Sequence, residues 1–194
     1  MRSQFSRWFY FKFLGWKLIG SLPDLKKYLI IVVPHTSWRD FFVGLLVRSI
    51  LKEKLNFVGK KELFGPLTGW FFKGLGGAPI DRSGNKNTVD AIVSLYQQRD
   101  YFRLALAPEG TRKKVDQWRT GFYHIAKKLN IPIVPVAFDY SKRRVTIFNA
   151  YSMLEEHTLT KSDMTMGSFF ALHFKNRHRK ASVIHLHTST HMLD

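Results

Sequence analysis

Residues 29–40 read Leu29-Ile30-Ile31-Val32-Val33-Pro34-His35-Thr36-Ser37-Trp38-Arg39-Asp40, an apolar run that leads into a polar turn. Five consecutive aliphatic residues are typical of a strand that is buried in a parallel sheet. Residues 40–51 follow with apolar side chains at helical spacing, which predicts an amphipathic helix. The stretch therefore predicts a strand, a tight turn and a helix, with polar residues at the carboxyl end of the strand.

This turn carries His35 and Asp40, which are five residues apart. On a continuous helix that separation is about 140° of rotation, which does not bring two side chains together. With His35 in the turn and Asp40 in the first turn of the helix, the chain can fold the two onto each other. A carboxylate fixes the tautomer of a histidine and makes it a better base. The same residues also fit an ordinary helix start, in which Thr36 or Ser37 is the cap and His35 has no role.

The rest of the sequence alternates between strand and helix patterns. Apolar runs predict further strands at residues 55–58, 78–80, 103–107, 133–138 and 144–148. Helical spacing predicts further helices at residues 63–72, 87–98, 120–129 and 160–176. This alternation predicts an α/β fold with a single, mostly parallel sheet flanked by helices, and with active residues on loops at the strand ends.

The composition restricts the partners of the chain. The formal net charge is +17, which indicates an anionic partner: nucleic acid, an anionic membrane surface or an acidic carrier protein. Aromatic residues make up 15% of the sequence, and together with the basic residues they suit a membrane interface at least as well as nucleic acid. The sequence has no cysteine, which excludes disulfides, thiol catalysis and thiolate metal sites.

The N-terminal residues are rich in aromatic side chains and are interrupted by lysines. We expect residues 1–22 to form a helix at a membrane interface, a helix packed on the domain, or both. No stretch approaches the roughly 18 apolar residues of a transmembrane helix, and no signal peptide is expected. Residues 23–180 are predicted to form the main domain and residues 181–194 a flexible tail. His185, His187 and His191 in this tail could bind metal, but without a carboxylate or cysteine nearby a solvated tail is favoured and no metal site is expected.

Two further loops at predicted strand ends carry groups suited to an anion. Arg82 follows the strand at residues 78–80, where an arginine can hold a phosphate with two hydrogen bonds or can be an ordinary surface charge. In the loop after the strand at residues 103–107, Gly110 lets backbone amides approach a ligand, Thr111 supplies a hydroxyl and Arg112 a second cation. Glu109 could orient Arg112 or a ligand hydroxyl. The same loop also fits an ordinary solvated turn.

Taken together, these loops resemble the four sequence motifs of the glycerolipid acyltransferases. The matching segments are His35-x4-Asp40, Gly77-x2-Ile80-Asp81-Arg82, Pro108-Glu109-Gly110-Thr111-Arg112 and Ile133-Val134-Pro135-Val136. Lys60-Lys61-Glu62-Leu63 also resembles an element common in these proteins. The chain thus resembles the lysophosphatidic acid (1-acylglycerol-3-phosphate) acyltransferase family over residues 32–148.

The resemblance implies a reaction and a role for each residue. His35 would deprotonate the hydroxyl of a lysophospholipid, Asp40 would orient His35, and the hydroxyl would attack the thioester of an acyl-CoA or acyl-carrier protein. The acceptor phosphate would be held by a set of cations and loop groups, and Glu109 would order that pocket. This set comprises Arg82, Arg112, Thr111, Gly110 and either Lys60 or Lys61. No cofactor, metal or nucleic-acid partner is implied.

Departures from the family pattern concern the acceptor more than the reaction. Pro34 stands where the family often has Asn, and Lys113 stands where Ser is common. We expect a peripheral or monotopic protein on the cytoplasmic face of the inner (cell) membrane, with its basic surface on anionic lipid. Two alternatives stay open: an acyltransferase for a non-phosphate lyso-lipid such as an amino-acid lipid, and a non-catalytic basic protein that binds membrane or nucleic acid.

Overall fold

The computed structural model of the protein describes residues 2–34, 37, 39–80, 88–111 and 118–152. The strands are β1 Lys17–Ile19, β2 Lys27–Val33, β3 Asn56–Lys60, β4 Gly77–Ile80, β5 Phe102–Leu106, β6 Ile133–Asp139 and β7 Arg144–Ile147. The helices are α1 Arg2–Arg7, α2 Arg39–Leu51, α3 Gly69–Gly74, α4 Thr88–Gln97 and α5 Gly121–Leu129. A π-helical segment, Trp8–Phe13, extends α1, and a 3-10 helix, Lys61–Phe64, follows β3.

In this part of the chain seven strands form one sheet in the order β1-β7-β6-β2-β5-β3-β4. Strands β6, β2, β5, β3 and β4 are parallel to one another. Strand β7 is antiparallel to β6, and β1 is parallel to β7, so this pair runs against the other five. The predicted mostly parallel α/β sheet with flanking helices is confirmed.

The helices cover both faces of the sheet. On the face that we call the closed face, α4 and α5 pack on alternate residues of the strands, among them Leu29, Ile31 and Val33 of β2. On the other, which we call the open face, α2 and the N-terminal segment pack on Tyr28 and Ile30. Helix α3 lies on the open face too, because Arg48 Nη1 of α2 donates to the carbonyl oxygen of Leu75 at 2.7 Å. Side chains of successive strand residues point to opposite faces, which explains how one strand serves both cores.

The N-terminus differs from the single helix expected over residues 1–22. The helical part ends at Phe13, and Lys17–Ile19 form strand β1 at the edge of the sheet. Gly15 and Gly20 have φ angles of 65° and 84°, and a Cβ at Gly20 would lie 2.1 Å from the carbonyl oxygen of Ile147. These two glycines allow the chain to turn into and out of the strand. The aromatic N-terminal helix is therefore present but shorter than expected.

The short helix predicted at residues 63–72 is divided between the 3-10 helix and α3, with Gly65 and Pro66 between them. None of the helices in the described ranges is both long and apolar enough to cross a membrane. The predicted helix at 160–176 and the tail at 181–194, with His185, His187 and His191, lie outside the described residues.

Candidate active site

The carboxyl ends of the five parallel strands lie at one edge of the sheet. Ile31 of β2 is paired with Leu106 of β5, and Val33 is paired with Ala137 of β6, so the segments that follow these strands start at similar levels. Lys60 ends β3 beside Ile80, the last residue of β4. Ligands of open α/β sheets bind at this edge. Asp40, Lys60 and the turn at Gly110 lie here, whereas the segment Ile133-Val134-Pro135-Val136 forms the first half of β6 itself.

Asp40 lies in the first turn of α2 and is buried, with 3% of its surface exposed. Its Oδ2 atom accepts a hydrogen bond from the backbone N–H of Ser37 at 2.9 Å, and its Oδ1 atom accepts one from the hydroxyl of Tyr140. The Ser37 carbonyl oxygen accepts from the Asp40 N–H at 3.2 Å, which closes the turn before the helix. Two donors therefore fix the orientation of a carboxylate that burial alone would disfavour.

Tyr140 follows β6 and was not anticipated from the sequence. Burial and the neighbouring Asp40 carboxylate both raise the pKa of its hydroxyl, so it is protonated and donates at neutral pH. The ring of Trp16 packs edge-on against it, with centroids 5.1 Å apart and planes at 87°. Because residues 133–138 were predicted to be a strand, the rule that functional groups follow strand ends would have pointed to Tyr140.

The loop after β5 forms a tight turn at Gly110, whose φ is 66°. The Gly110 N–H donates to the carbonyl oxygen of Ala107 at 3.2 Å. The backbone angle favours glycine at this position, and a Cβ there would lie 2.7 Å from Nε of the Arg119 side chain. Arg119 is a second group at this edge that was not predicted from the sequence, and its guanidinium lies beside the turn that carries Thr111.

An apolar cavity of about 720 Å³ opens at this edge and extends between α2 and the open face of the sheet. Asp40, Lys60, Gly110 and Thr111 all line it, so the structure brings these four predicted residues together. The remainder of the wall is mainly aliphatic and comes from the strands and α2, including Ile30, Val32, Val47, Leu51, Ala105 and Val136. A polar mouth and an apolar interior are features of a site for an amphipathic ligand.

Other predicted site residues are not brought to this cavity or lie outside the described residues. Lys61 is exposed at the start of the 3-10 helix and does not line the cavity. Glu109 is half-buried in the turn at Gly110 and does not line the cavity either. His35, Arg82 and Arg112 lie outside the described residues, so the pairing of His35 with Asp40 stays a prediction. Among the described residues, no group of three His, Cys, Asp or Glu side chains could hold a metal ion.

Comparisons with known proteins agree with this architecture. The crystal structure of the 1-acyl-sn-glycerophosphate (LPA) acyltransferase PlsC from Thermotoga maritima superposes with a TM-score of 0.60 over 90% of this chain and 75% of that protein, at 15% identity. Such a distant likeness establishes the fold alone.

Two proteins named 1-acyl-sn-glycerol-3-phosphate acyltransferase are similar in sequence. The Saccharomyces cerevisiae protein is 27% identical over 150 residues, which are 71% of this chain and 48% of that protein. The Cocos nucifera protein is 30% identical over 112 residues, which are 55% of this chain and 36% of that protein. The chain thus spans about half the length of the first relative and about a third of the second.

Residues 19–139, more than half of the chain, match the sequence profile of the family described as Acyltransferase. This span covers β2 to β6 and α2 to α5, so it contains Asp40, Lys60, Gly110 and Thr111, the predicted site residues that line the cavity. The chain belongs to the acyltransferase family, and the resemblance to its 1-acylglycerol-3-phosphate acyltransferases is confirmed.

Proposed function

We propose that this chain is an O-acyltransferase that moves a fatty acyl group from an acyl thioester to the hydroxyl of a lysophospholipid. The observation that carries the proposal is the position of Asp40, Lys60 and Thr111 at the mouth of one apolar cavity. The favoured acceptor is 1-acylglycerol-3-phosphate, because the similar proteins of two organisms are named for it. The donor is an acyl-CoA or an acyl-carrier protein, and the +17 charge suits both.

The proposed base is His35, oriented by Asp40. Asp40 supports this role because its carboxylate is buried and is held by Ser37 and Tyr140, so it is fixed before substrate binds. His35 takes the proton of the acceptor hydroxyl while the hydroxyl oxygen attacks the thioester carbonyl carbon. A C–O bond forms, the C–S bond breaks, and the proton passes from His35 to the leaving thiolate. These reaction steps need no cofactor and no acyl-enzyme intermediate.

The cavity is proposed to hold the acyl chain of a substrate. Asp40 and Leu51 both line it and are eleven residues apart on α2, which corresponds to roughly 16 Å of helix. Gly44 lies one turn beyond Asp40, and a Cβ there would meet no atom within 4 Å, so the helix leaves open space next to the carboxylate. The reacting thioester would then lie at the polar mouth and its hydrocarbon inside.

The acceptor phosphate is proposed to bind to cations around the mouth. Lys60 is exposed and lines the cavity, and Arg119 lies across the Gly110 turn. Arg82 and Arg112, with Lys61 as a further cation, are proposed to complete the site on the strength of the motif resemblance. The Thr111 hydroxyl would donate to a phosphate oxygen, Gly110 would let the ligand approach the backbone of the turn, and Glu109 would order the turn.

The lipid acceptor requires access to a membrane. Phe5, Trp8 and Phe13 of the N-terminal segment are exposed by 65%, 57% and 66%, on a chain with a large positive charge. Aromatic side chains of this kind partition into the interface of a bilayer, and anionic lipids attract the basic residues. We place the protein as a peripheral or monotopic protein on the cytoplasmic face of the inner membrane.

Acyl transfer by the purified protein tests the proposal. Radiolabelled acyl-CoA is supplied with a panel of lysolipids, and His35→Ala is compared with His124→Ala, which removes an exposed histidine on α5. The expected result is product from 1-acylglycerol-3-phosphate that disappears in His35→Ala and persists in His124→Ala. Product only from a non-phosphate acceptor would show that the protein is an acyltransferase for a different lipid. No product with either acyl-CoA or acyl-carrier protein would favour a non-catalytic binding protein.

A further inference from the structure

A group of apolar side chains after β3 is exposed to solvent. Leu63, Leu67, Trp70 and Phe71 have 44%, 88%, 74% and 48% of their surfaces exposed. We call these four residues the α3 patch. Single exposed apolar residues are normal on a protein surface, but a local group of large ones indicates a contact surface.

Local hydrogen bonds connect the residues of the turn that carries the α3 patch. The Trp70 indole Nε1–H donates to the carbonyl oxygen of Leu67 at 3.1 Å, and the Thr68 hydroxyl donates to that of Leu63 at 2.8 Å. A Cβ at Gly69 would lie 2.6 Å from the carbonyl oxygen of Phe64, so the turn closes tightly there. The apolar side chains are therefore presented by a fixed turn.

The same turn has an inner side that packs into the domain. The centroids of the Phe64 and Phe72 rings lie 6.1 Å apart. Phe64 also packs against Gly77 of β4, where a Cβ would lie only 2.9 Å from its ring. The segment thus places one pair of aromatic rings in the protein and another set of apolar side chains outward. The outer set is not buried in the core of the domain, so its apolar surface is available to a partner.

The surrounding charges fit an anionic lipid surface. Lys60, Lys61 and Lys73 are exposed around the patch, and Glu62 is the acidic residue between them. Apolar and aromatic side chains flanked by lysines are typical of surfaces that bind at the interface of an anionic bilayer.

The position in the fold favours a bilayer over a protein partner. Helix α3 lies near β3 and β4, at one edge of the sheet. The N-terminal segment lies near β6, β7 and β1, at the other edge, with the cavity between them. Both lie on the open face, and Lys60 belongs to both the cavity wall and the surroundings of the patch. Phe42, near the start of α2, is 53% exposed and lines the groove beside the N-terminal segment.

We propose that the α3 patch is a second membrane-contact surface, which enters the interface of an anionic bilayer together with the aromatic N-terminal segment. The mouth of the cavity then lies between two contacts and faces the leaflet. This inference rests on the proposed function, because a lipid substrate is what gives the two contacts a common purpose.

The sequence has no cysteine, which permits a site-specific test. Leu67→Cys is labelled with an environment-sensitive fluorophore, and Gln97→Cys, at the exposed end of α4 on the closed face, is the matched control. With vesicles of phosphatidylglycerol and phosphatidylcholine, we expect the emission at position 67 to shift to shorter wavelength and rise severalfold. Brominated acyl chains should quench it. The label at position 97 should not change.

Two results would overturn the inference. The label at position 67 could keep its aqueous emission while the protein sediments with the vesicles, which would leave the N-terminal segment as the contact. It could instead show an apolar environment already without vesicles, which would mean that the chain itself or a second copy covers the patch.

A double variant, Leu67→Asn with Trp70→Gln, separates this inference from the proposed activity. Losing two large apolar contacts should weaken vesicle binding at least about tenfold. Transfer to a short-chain lysolipid below its micelle concentration should remain at the wild-type rate. Wild-type vesicle affinity in the double variant would overturn the inference alone. Inactivity of the wild type with soluble substrates would overturn the proposed function, while the fluorescence would still test the patch.

Discussion

The two faces of the sheet share their strands but differ in packing. On the closed face, α4 and α5 cover the strands with buried side chains such as Tyr96, Phe122 and Ile125. On the open face, α2 leaves the cavity of about 720 Å³, and a groove of about 1310 Å³ lies between α2 and the N-terminal segment. The same strand residues alternate between these faces, so the helices create the difference. The closed face is filled with side chains, whereas the open face has a buried core and, beside it, an unfilled cavity.

The largest expected effect on activity is on the open face, at Asp40. Asp40→Asn keeps the shape and an oxygen acceptor but removes the charge that would orient and stabilise the protonated base. We expect the rate of acyl transfer to fall by roughly 10²–10⁴-fold. The midpoint of urea unfolding should fall as well, because the amide nitrogen of Asn cannot accept the hydrogen bond that one carboxylate oxygen accepts. Asp90→Asn, which removes a carboxylate paired with Lys128 on the other side of the sheet, is the control. A wild-type rate in Asp40→Asn would remove this residue from the mechanism.

The largest expected effect on stability is on the closed face. Ile125→Ala empties a site that is 2% exposed, and such truncations cost about 2–5 kcal/mol in the free energy of unfolding. Leu45→Ala truncates a half-buried side chain that lines both the cavity and the groove, so fewer packing contacts are lost and the cost is smaller. Urea unfolding of both variants measures the contrast. Equal costs would mean that the open face is packed as firmly as the closed one.

Filling the cavity should change the choice of acyl chain. Gly44→Leu places a side chain in open space one turn from Asp40, and we expect the ratio of kcat/KM for long to short acyl donors to fall at least about tenfold. Gly44→Ala is the matched control: it should retain the selectivity and raise stability by about 1 kcal/mol, because glycine disfavours a helix. Unchanged selectivity in Gly44→Leu would place the acyl chain elsewhere.

The sequence predicted the parts of this architecture that depend on local pattern. Aliphatic runs located β2 through β7, and helical spacing located α2, α4 and α5, because burial on the faces of one sheet determines both patterns. The edge strand β1 was missed, since its three residues follow an aromatic segment and pair only with β7, more than a hundred residues away. The cavity was equally unpredictable, because it depends on how far α2 lies from the strands.

The contact between Tyr140 and Asp40 is another feature that spacing does not reveal, since 100 residues separate the two. The smallest expected effect on activity comes from this contact, which orients the Asp40 carboxylate. Tyr140→Phe removes one donor to the Asp40 carboxylate, and a hydrogen bond to a charged group contributes about 1.5–3 kcal/mol. Because this bond orients the Asp40 carboxylate, its loss should lower kcat by about tenfold. The KM for the acyl thioester should not change. Tyr101→Phe, which removes a hydroxyl near Glu53 at the other end of the sheet, is the control.

The pH dependence of the Tyr140→Phe variant tests the same contact. Burial and the Asp40 carboxylate raise the pKa of Tyr140 above its ordinary value of 10.0, so the hydroxyl donates its hydrogen bond until the pH exceeds the raised pKa. The loss in Tyr140→Phe should therefore be uniform across neutral pH, and tyrosinate absorbance in alkali should lose one late-titrating group. A loss confined to low pH, or a loss equal to that of Tyr101→Phe, would show that Tyr140 does not act through Asp40. In that case the carboxylate on the open face would owe its orientation to the turn at Ser37.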